Sequence, residues 1–284
     1  MAQHYTPQSG QFGNAMAYVR LGDGPKSLLY IPGGPGNDLP EGTPLRMLQP
    51  MLRPLADDGY TIWMVTRPRN MPAGHSIEDM ADDFAALVQD QFGGRVEVVI
   101  GESMGGLIVQ YLAANHGDCA EAFVVFCAAC EVSDWGKGVT QREADAVATG
   151  SRLGLGLAMG EYMLPGERYR WLRALLAPLM ATMTAGRQHE HYRHDHAIEA
   201  QAVIDFDSRE ALPRIAVPVL LIIGDADLFF PKEVVEETAR LIPNCHVLWY
   251  PGQGHVRAGT NKRLGRDVLA YVHTHPRNQR VRPA

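Results

Sequence analysis

Cysteine is scarce in this chain of 284 residues, which has only Cys119, Cys127, Cys130 and Cys245. Three of them lie in or beside a predicted strand at 121–127, where small thiols are commonly buried. Cys127-Ala-Ala-Cys130 has the spacing of a redox pair or half a metal site, but no second Cys pair accompanies it, so a structural role is expected. Long apolar runs are also missing. No segment is long enough to span a bilayer, and residues 1–13 lack the apolar core of a signal peptide. No membrane insertion is expected, and the cytoplasm is the default location. Positive charge is short too: Lys and Arg number 26 against 32 Asp and Glu, a net charge of −6 that leaves no basic footprint for nucleic acid. Internal repeats and low-complexity tracts are absent. What is there, 46% hydrophobic and 20% charged residues, can build one large core in one or two domains.

Apolar strand-like runs alternate with helix-period segments, the pattern of a mostly parallel sheet with helices on both faces. Strands are predicted at 27–31, 61–66, 96–101, 121–127, 217–223 and 246–250, and their near-continuous apolar character fits burial on both sides. A more alternating strand near 15–20 suits an antiparallel edge. Thr43-Pro44 reads as an N-cap followed by proline at the first helical position, opening a helix to about Ala56. Ser76-Ile-Glu-Asp79 resembles a capping box before a helix whose apolar face carries Ile77, Met80, Phe84, Leu87 and Val88. Further helices are expected after Ser103, after Pro231 and near 260–274.

The interval 131–212 breaks the pattern and is far too long for a crossover loop. Leu172, Leu175, Leu176, Leu179 and Met183 would line one face of a helix there, with Pro178 kinking it. The interval reads as a helical cap inserted between core segments 1–130 and 213–284. Met159, Met163, Met180 and Met183 are expected to pack within it. His189, His191, His194 and His196 form a dense cluster in the same interval. Without a cysteine or carboxylate scaffold, a solvated polar segment is expected rather than a metal site.

Residues 97–107 read Glu-Val-Val-Ile-Gly-Glu-Ser-Met-Gly-Gly-Leu, an apolar run ending in Gly-x-Ser-x-Gly around Ser103. Such a turn from strand to helix holds a serine hydroxyl in the open, and its strained backbone needs glycine at 101 and 105. With seven serines and 29 glycines in the chain, chance alone yields the pattern in roughly 7% of comparable chains, so its surroundings must carry the assignment. A serine hydroxyl needs a base to act as a nucleophile at neutral pH. Strand 217–223 is followed by Gly224-Asp225-Ala226-Asp227, and strand 246–250 by Gly252-Gln253-Gly254-His255. Catalytic groups of open α/β sheets gather at the C-terminal strand edge, so the three segments can converge. On the residues alone, Asp225 and Asp227 both remain candidates for the acid.

The order Ser, Asp, His, with the elbow after one strand and the acid and histidine after two later ones, resembles the α/β-hydrolase superfamily from about residue 15 to 275. That resemblance implies the α/β-hydrolase fold with Ser103 as nucleophile and His255 as base. Its Gly-x-x-Asp spacing selects Asp227 as the orienting acid, leaving Asp225 to shape the turn. It also points to Ile31-Pro32-Gly33-Gly34-Pro35-Gly36 as the oxyanion loop, with the Gly34 and Met104 amides as donors. Two departures stand out. Pro32 replaces the histidine that many relatives carry, which leaves the bracing of the loop unexplained. Thr66-Arg67-Pro68-Arg69-Asn70-Met71-Pro72 replaces their Asp-x-x-Gly-x-Gly-x-Ser loop.

The resemblance implies acyl transfer to water through an acyl-enzyme. The expected substrate is a small to medium carboxylic ester with an apolar acyl group. Lactone, thioester, amide and C–C bond hydrolysis are alternatives, the last because Ser-Met-Gly-Gly elbows also occur there. Gly-Gly-Pro-Gly suggests a proline-type aminopeptidase, but its acidic amine-binding residues cannot be identified. Ser103 excludes an aspartate-nucleophile dehalogenase. Some members of the fold keep the triad and act as small-molecule receptors; the intact triad favours turnover. No metal or organic cofactor is implied. The expected partner is a small-molecule substrate, and the expected assembly a monomer or homodimer.

Overall fold

The apolar runs of the sequence become the strands of one sheet in the computed structural model, which describes residues 5–13, 15–183 and 189–275, apart from the side chains of residues 43, 44 and 183. The chain opens with β1 (Gln8–Gln11), β2 (Ala17–Leu21) and β3 (Lys26–Ile31). There follow α1 (Gly42–Asp57), β4 (Tyr60–Val65), α2 (Ile77–Phe92), β5 (Val96–Glu102), α3 (Met104–Asn115) and β6 (Ala120–Phe126). Next come α4 (Asp134–Thr149), α5 (Arg152–Met163), α6 (Arg170–Met183) and α7 (Tyr192–Ile204). The chain returns to the sheet with β7 (Val219–Gly224), α8 (Lys232–Leu241), β8 (Cys245–Tyr250), α9 (His255–Gly259) and α10 (Leu264–Thr274).

Among the described residues the sheet has eight strands in the order β1-β2-β4-β3-β5-β6-β7-β8. β4, β3, β5, β6, β7 and β8 run parallel, whereas β2 is antiparallel to β4 and β1 to β2. Side chains alternate between two apolar layers, as the pleat requires. Leu29, Ile31 and Val99 pack with Phe84 of α2 and Leu107 of α3. Leu28, Tyr30 and Val98 pack with Leu52 of α1 and Val268 of α10 on the other face. Both faces are covered, which is why these strands read as continuous apolar runs. No helix among the described residues is long and apolar enough to cross a membrane.

Local signals fare unevenly. Ser76 caps α2 as expected: its Oγ accepts from Asp79 N at 3.1 Å, and the Asp79 carboxylate accepts from Ser76 N at 2.8 Å. The expected cap at Thr43 is corrected. α1 begins at Gly42 with Glu41 in the cap position and no side-chain cap bond, so Thr43 and Pro44 lie inside the first turn. The strand expected near 15–20 is β2, one strand in from the edge. The edge itself is β1, whose Gln-Ser-Gly-Gln carries no apolar signal. Cys119, Cys127 and Cys130 are buried free thiols, and burial pushes the Cys127 and Cys130 thiols up. Stable protonated thiols fit a structural role.

α4 to α7 occupy the long interval between β6 and β7. Its two ends are drawn together by an isolated antiparallel bridge between Glu131 and Asp207. Arg209 reinforces that closure, reaching Glu131 at 2.9 Å, Asp207 at 2.7 Å and Glu237 on α8 at 2.8 Å. The leucine face expected on α6 is corrected. Leu175 and Leu179 are 68% and 61% exposed, while Arg173, Ala177 and Met180 point inward; Met183's side chain lies outside the described residues. Small residues decide the face. A Cβ on Gly156 of α5 would collide with the Ala177 carbonyl, so the two helices touch backbone to backbone there. Arg173 turns inward to give hydrogen bonds to the carbonyls of Leu164 at 2.9 Å and Gly166 at 2.8 Å, just past the end of α5. Met180 packs within this helical layer, but Met163 is exposed, contrary to expectation.

The close α5–α6 contact yields a testable contrast. Gly156→Leu should force the helices apart and cost about 1–3 kcal/mol in chemical unfolding. Leu175→Ala, which removes the larger side chain from solvent, should stay within about 0.5 kcal/mol of the parent.

Candidate active site

Ser103 follows β5 directly and has φ 51° and ψ −116°, a backbone conformation that L side chains rarely adopt. Close packing holds it there. A Cβ on Gly101 would collide with the Gly105 carbonyl, and one on Gly105 with the Ile31 carbonyl at the end of β3. Ser103 N donates to Phe126 O of β6 at 2.8 Å, which ties the turn to its neighbouring strand.

His255 opens α9 just after β8, and its Nε2 lies 3.0 Å from Ser103 Oγ. On the far side of the ring, Nδ1 donates to Asp227 Oδ2 at 2.7 Å. Asp227 is buried in the turn after β7, and its second oxygen accepts from Phe229 N at 2.8 Å and Phe230 N at 3.2 Å. Those amides and the imidazole use both carboxylate oxygens. The competing Asp225 is exposed and caps the β8 turn, accepting from Gly252 N at 2.6 Å. Of the two acids, only Asp227 reaches the histidine. With Ser103 O–H giving its hydrogen bond to Nε2, the arrangement can pass a proton from serine to imidazole.

The loop after β3 passes directly over the turn: a Cβ on Gly33 would stand 2.9 Å from Ser103 Cβ. Gly34 has φ 72°, and a Cβ there would meet nothing within 4 Å, so its peptide borders open space. The Gly34 amide donates to no backbone carbonyl among the described residues. Met104 is the first residue of α3, where an N–H has no partner within the helix. Neither amide predicted as an oxyanion donor thus gives a hydrogen bond to a backbone carbonyl among the described residues.

Three residues escaped the sequence reading as parts of this site. Arg67, 1% exposed, sends Nη1 to Pro32 O at 3.0 Å and Nη2 to Gly34 O at 2.9 Å. Its Nε meets Glu199 Oε1 on α7 at 2.8 Å, and Glu199 Oε2 accepts from Gly36 N at 2.6 Å. The bracing left unexplained by Pro32 therefore comes from the unusual loop after β4. An arginine just past a buried strand was the available signal. Its partner lies 132 positions away, beyond any local pattern. The third residue is Glu102, whose carboxylate accepts from Tyr30 O–H at 2.5 Å. Burial pushes the Glu102 carboxyl up, opposed by that hydrogen bond and by His255.

The histidine cluster is corrected as well. His196 is fully buried, with Nε2 3.5 Å from Glu143 Oε1, and the His189 side chain is 5% exposed. His194 gives a hydrogen bond to Met71 O at 2.8 Å, and His191 stays at the surface beside Glu190. Residues expected to be solvated disperse around the start of α7 because one side of that helix faces the core. No group of three ligands able to hold a metal occurs among the described residues.

Residues 28–263 match the model of the alpha/beta hydrolase family. A bifunctional esterase/perhydrolase from Acinetobacter calcoaceticus is 27% identical over 222 residues, covering 70% of this chain and 75% of that protein. A pimeloyl-acyl-carrier-protein methyl ester esterase from Vibrio atlanticus is 24% identical over 196 residues, covering 64% and 73%. Among solved structures, an enol-lactonase from Burkholderia xenovorans superposes with a TM-score of 0.64 at 20% identity, covering 91% of this chain and 94% of that one. The structural likeness shows a shared fold.

The loop after β3 also carries one strongly perturbed acid. Burial pushes the Asp38 carboxyl from its ordinary 3.8 up to about 6, with Glu199 and Glu41 adding to the shift and Arg69 and Arg67 opposing it. A raised folded-state value means that the stability from Asp38 is present below about pH 4 and lost as pH rises through about 6. Asp38→Asn never ionises. It should match the parent's Tm near pH 4 and exceed it above pH 6, as measured by calorimetry across that range.

Proposed function

Since the chain belongs to the alpha/beta hydrolase family, we propose that this hydrolase is a serine carboxylesterase working through an acyl-enzyme. The observation that carries this reading is the continuous line from Ser103 Oγ to His255 Nε2 at 3.0 Å and from His255 Nδ1 to Asp227 Oδ2 at 2.7 Å. Ser103 is the nucleophile, His255 the general base and Asp227 the acid that fixes the imidazole tautomer and stabilises its cation.

As His255 takes the serine proton, Oγ bonds to the ester carbonyl carbon. The carbonyl oxygen gains the electron pair and is held by the Gly34 and Met104 amides. Collapse breaks the bond to the alkoxide oxygen, which leaves with the proton from His255. Water then repeats the sequence on the acyl-enzyme, with His255 again the base, and releases the acid and Ser103. The turn puts the nucleophile at the start of α3, so the partial positive charge of that helix end adds to the two amides.

Aromatic surroundings support a small to medium apolar acyl group. The Phe229 ring lies 4.7 Å from the His255 ring, and Tyr162 of α5 stacks on Phe229 at 4.9 Å. Trp135 of α4 meets Phe229 edge-on at 5.0 Å. These contacts run from the base up into residues 131–212, which supports a role for that insertion as a cap over the core formed by 1–130 and 213–284. Ester chemistry in the names of the two relatives at 27% and 24% identity points the same way.

Fluorophosphonate labelling and turnover of p-nitrophenyl butyrate test the reading together. The parent should label and turn over; Ser103→Ala should lose the label and about 10⁴-fold or more in kcat. Labelling that persists in Ser103→Ala would sink the serine mechanism.

A further inference from the structure

The loop Pro32-Gly33-Gly34-Pro35-Gly36 is poorly equipped to hold its own shape. Two of its five residues are prolines without an N–H, and three are glycines with wide conformational freedom. The peptide between Gly33 and Gly34 nevertheless has to keep its N–H aimed beside Ser103 if it is to stabilise an oxyanion. What fixes it is the carbonyl on each side. Arg67 Nη1 holds Pro32 O at 3.0 Å, and Nη2 holds Gly34 O at 2.9 Å. Pinning the peptide planes before and after leaves the plane between them little rotation. The guanidinium is suited to this task because its donors form a rigid fork, whereas an ammonium is a point charge.

Glu199 completes the arrangement from α7. One oxygen takes Arg67 Nε at 2.8 Å, and the other takes Gly36 N at 2.6 Å, so the same carboxylate orients the guanidinium and ties down the far end of the loop. α7 also grips the loop after β4: Asp195 accepts from Asn70 N and Met71 N, each at 3.0 Å. Asn37 Nδ2 closes the ring by donating to Pro68 O at 2.9 Å. The Arg67 and Glu199 side chains are 1% and 0% exposed, so the pair is shielded from solvent and salt.

We propose that Arg67 and Glu199 are the positioning pair of the oxyanion loop, and that through them α7 of the insertion sets the aim of the Gly34 amide. The proposal rests on the reading of Gly34 as an oxyanion donor. Neither side chain touches substrate; both act through the loop.

The test separates aim from folding. Removing one member would leave a buried charge alone, so the main variant removes both, Arg67→Met with Glu199→Leu, a change that buried pairs often tolerate. A second variant, Arg67→Lys, keeps the charge but loses the fork. Each is assayed for kcat and KM on p-nitrophenyl butyrate, for inhibition by a butylboronic acid that mimics the tetrahedral species, and for Tm. Expected in the double variant is a Tm near the parent's, a loss in kcat of about 10²-fold with KM within about threefold, and boronic acid affinity reduced in step with kcat. Arg67→Lys should fold like the parent and lose about tenfold in kcat. Parental kcat in a folded double variant, or in Arg67→Lys where the double variant does not fold, would overturn the proposal. So would a loss in KM alone. Full turnover by Ser103→Ala would overturn the underlying serine mechanism instead, which keeps the two failures distinct.

Discussion

Everything at this site depends on how closely two turns are pressed together at the C-terminal edge of the sheet. The β5–α3 turn meets the loop after β3 with no side chain between them, since Gly105 abuts the Ile31 carbonyl and Gly33 lies over Ser103. That approach requires glycine on both sides of the contact and leaves Ser103 in a left-handed backbone conformation, φ 51°. The strain is sustained because β5 and β3 pair in parallel within a buried sheet, from Leu28 opposite Val98 to Ile31 opposite Gly101. The packed core thus fixes both the serine and the loop above it before any substrate arrives.

The remaining parts are brought in from a distance, each held by groups that leave it one orientation. Asp227 is gripped by two backbone amides, so its free oxygen has only the His255 ring to meet. Arg67 and Glu199 impose order on a loop too rich in glycine and proline to impose it on itself. The segment from β6 to β7 is drawn together at its ends by Glu131, Asp207 and Arg209, and α7 is anchored by Asp195 and Glu199. A buried ion pair of this kind is weak as a source of stability, because desolvation offsets most of its attraction. Its value lies in direction: three donors of one guanidinium fix three acceptors at once.

What could be read in the sequence was whatever local chemistry dictates. The parallel strands announced themselves because burial on both faces demands unbroken apolar runs, and Ser76 and Asp79 announced the start of α2 because they cap each other. The three turns that bring Ser103, His255 and Asp227 within hydrogen-bond reach of one another were legible through their composition and chain order, and the loop beside them through its glycines. β1 was not, since an exposed edge strand of Gln-Ser-Gly-Gln has no apolar pattern. The face of α6 was misread because leucine spacing suggested one side while the glycines of α5 admit only the side with Ala177. His196 read as solvated, and Arg67 and Glu199 carried no signal of their burial, because their partners lie far away along the chain and only the assembled fold brings them together.

In the proposed reaction, substrate oxygen settles between the Gly34 and Met104 amides while Ser103 bonds to the carbon beside it. A crystal structure of the protein inactivated with diethyl p-nitrophenyl phosphate tests this most directly, because the phosphoryl group occupies the place of the tetrahedral carbon. Phosphorus should be bonded to Ser103 Oγ, with its phosphoryl oxygen within hydrogen-bond reach of both amides and Arg67 still holding the Pro32 and Gly34 carbonyls. Phosphorus on another residue, or a phosphoryl oxygen turned away from both amides, would contradict it.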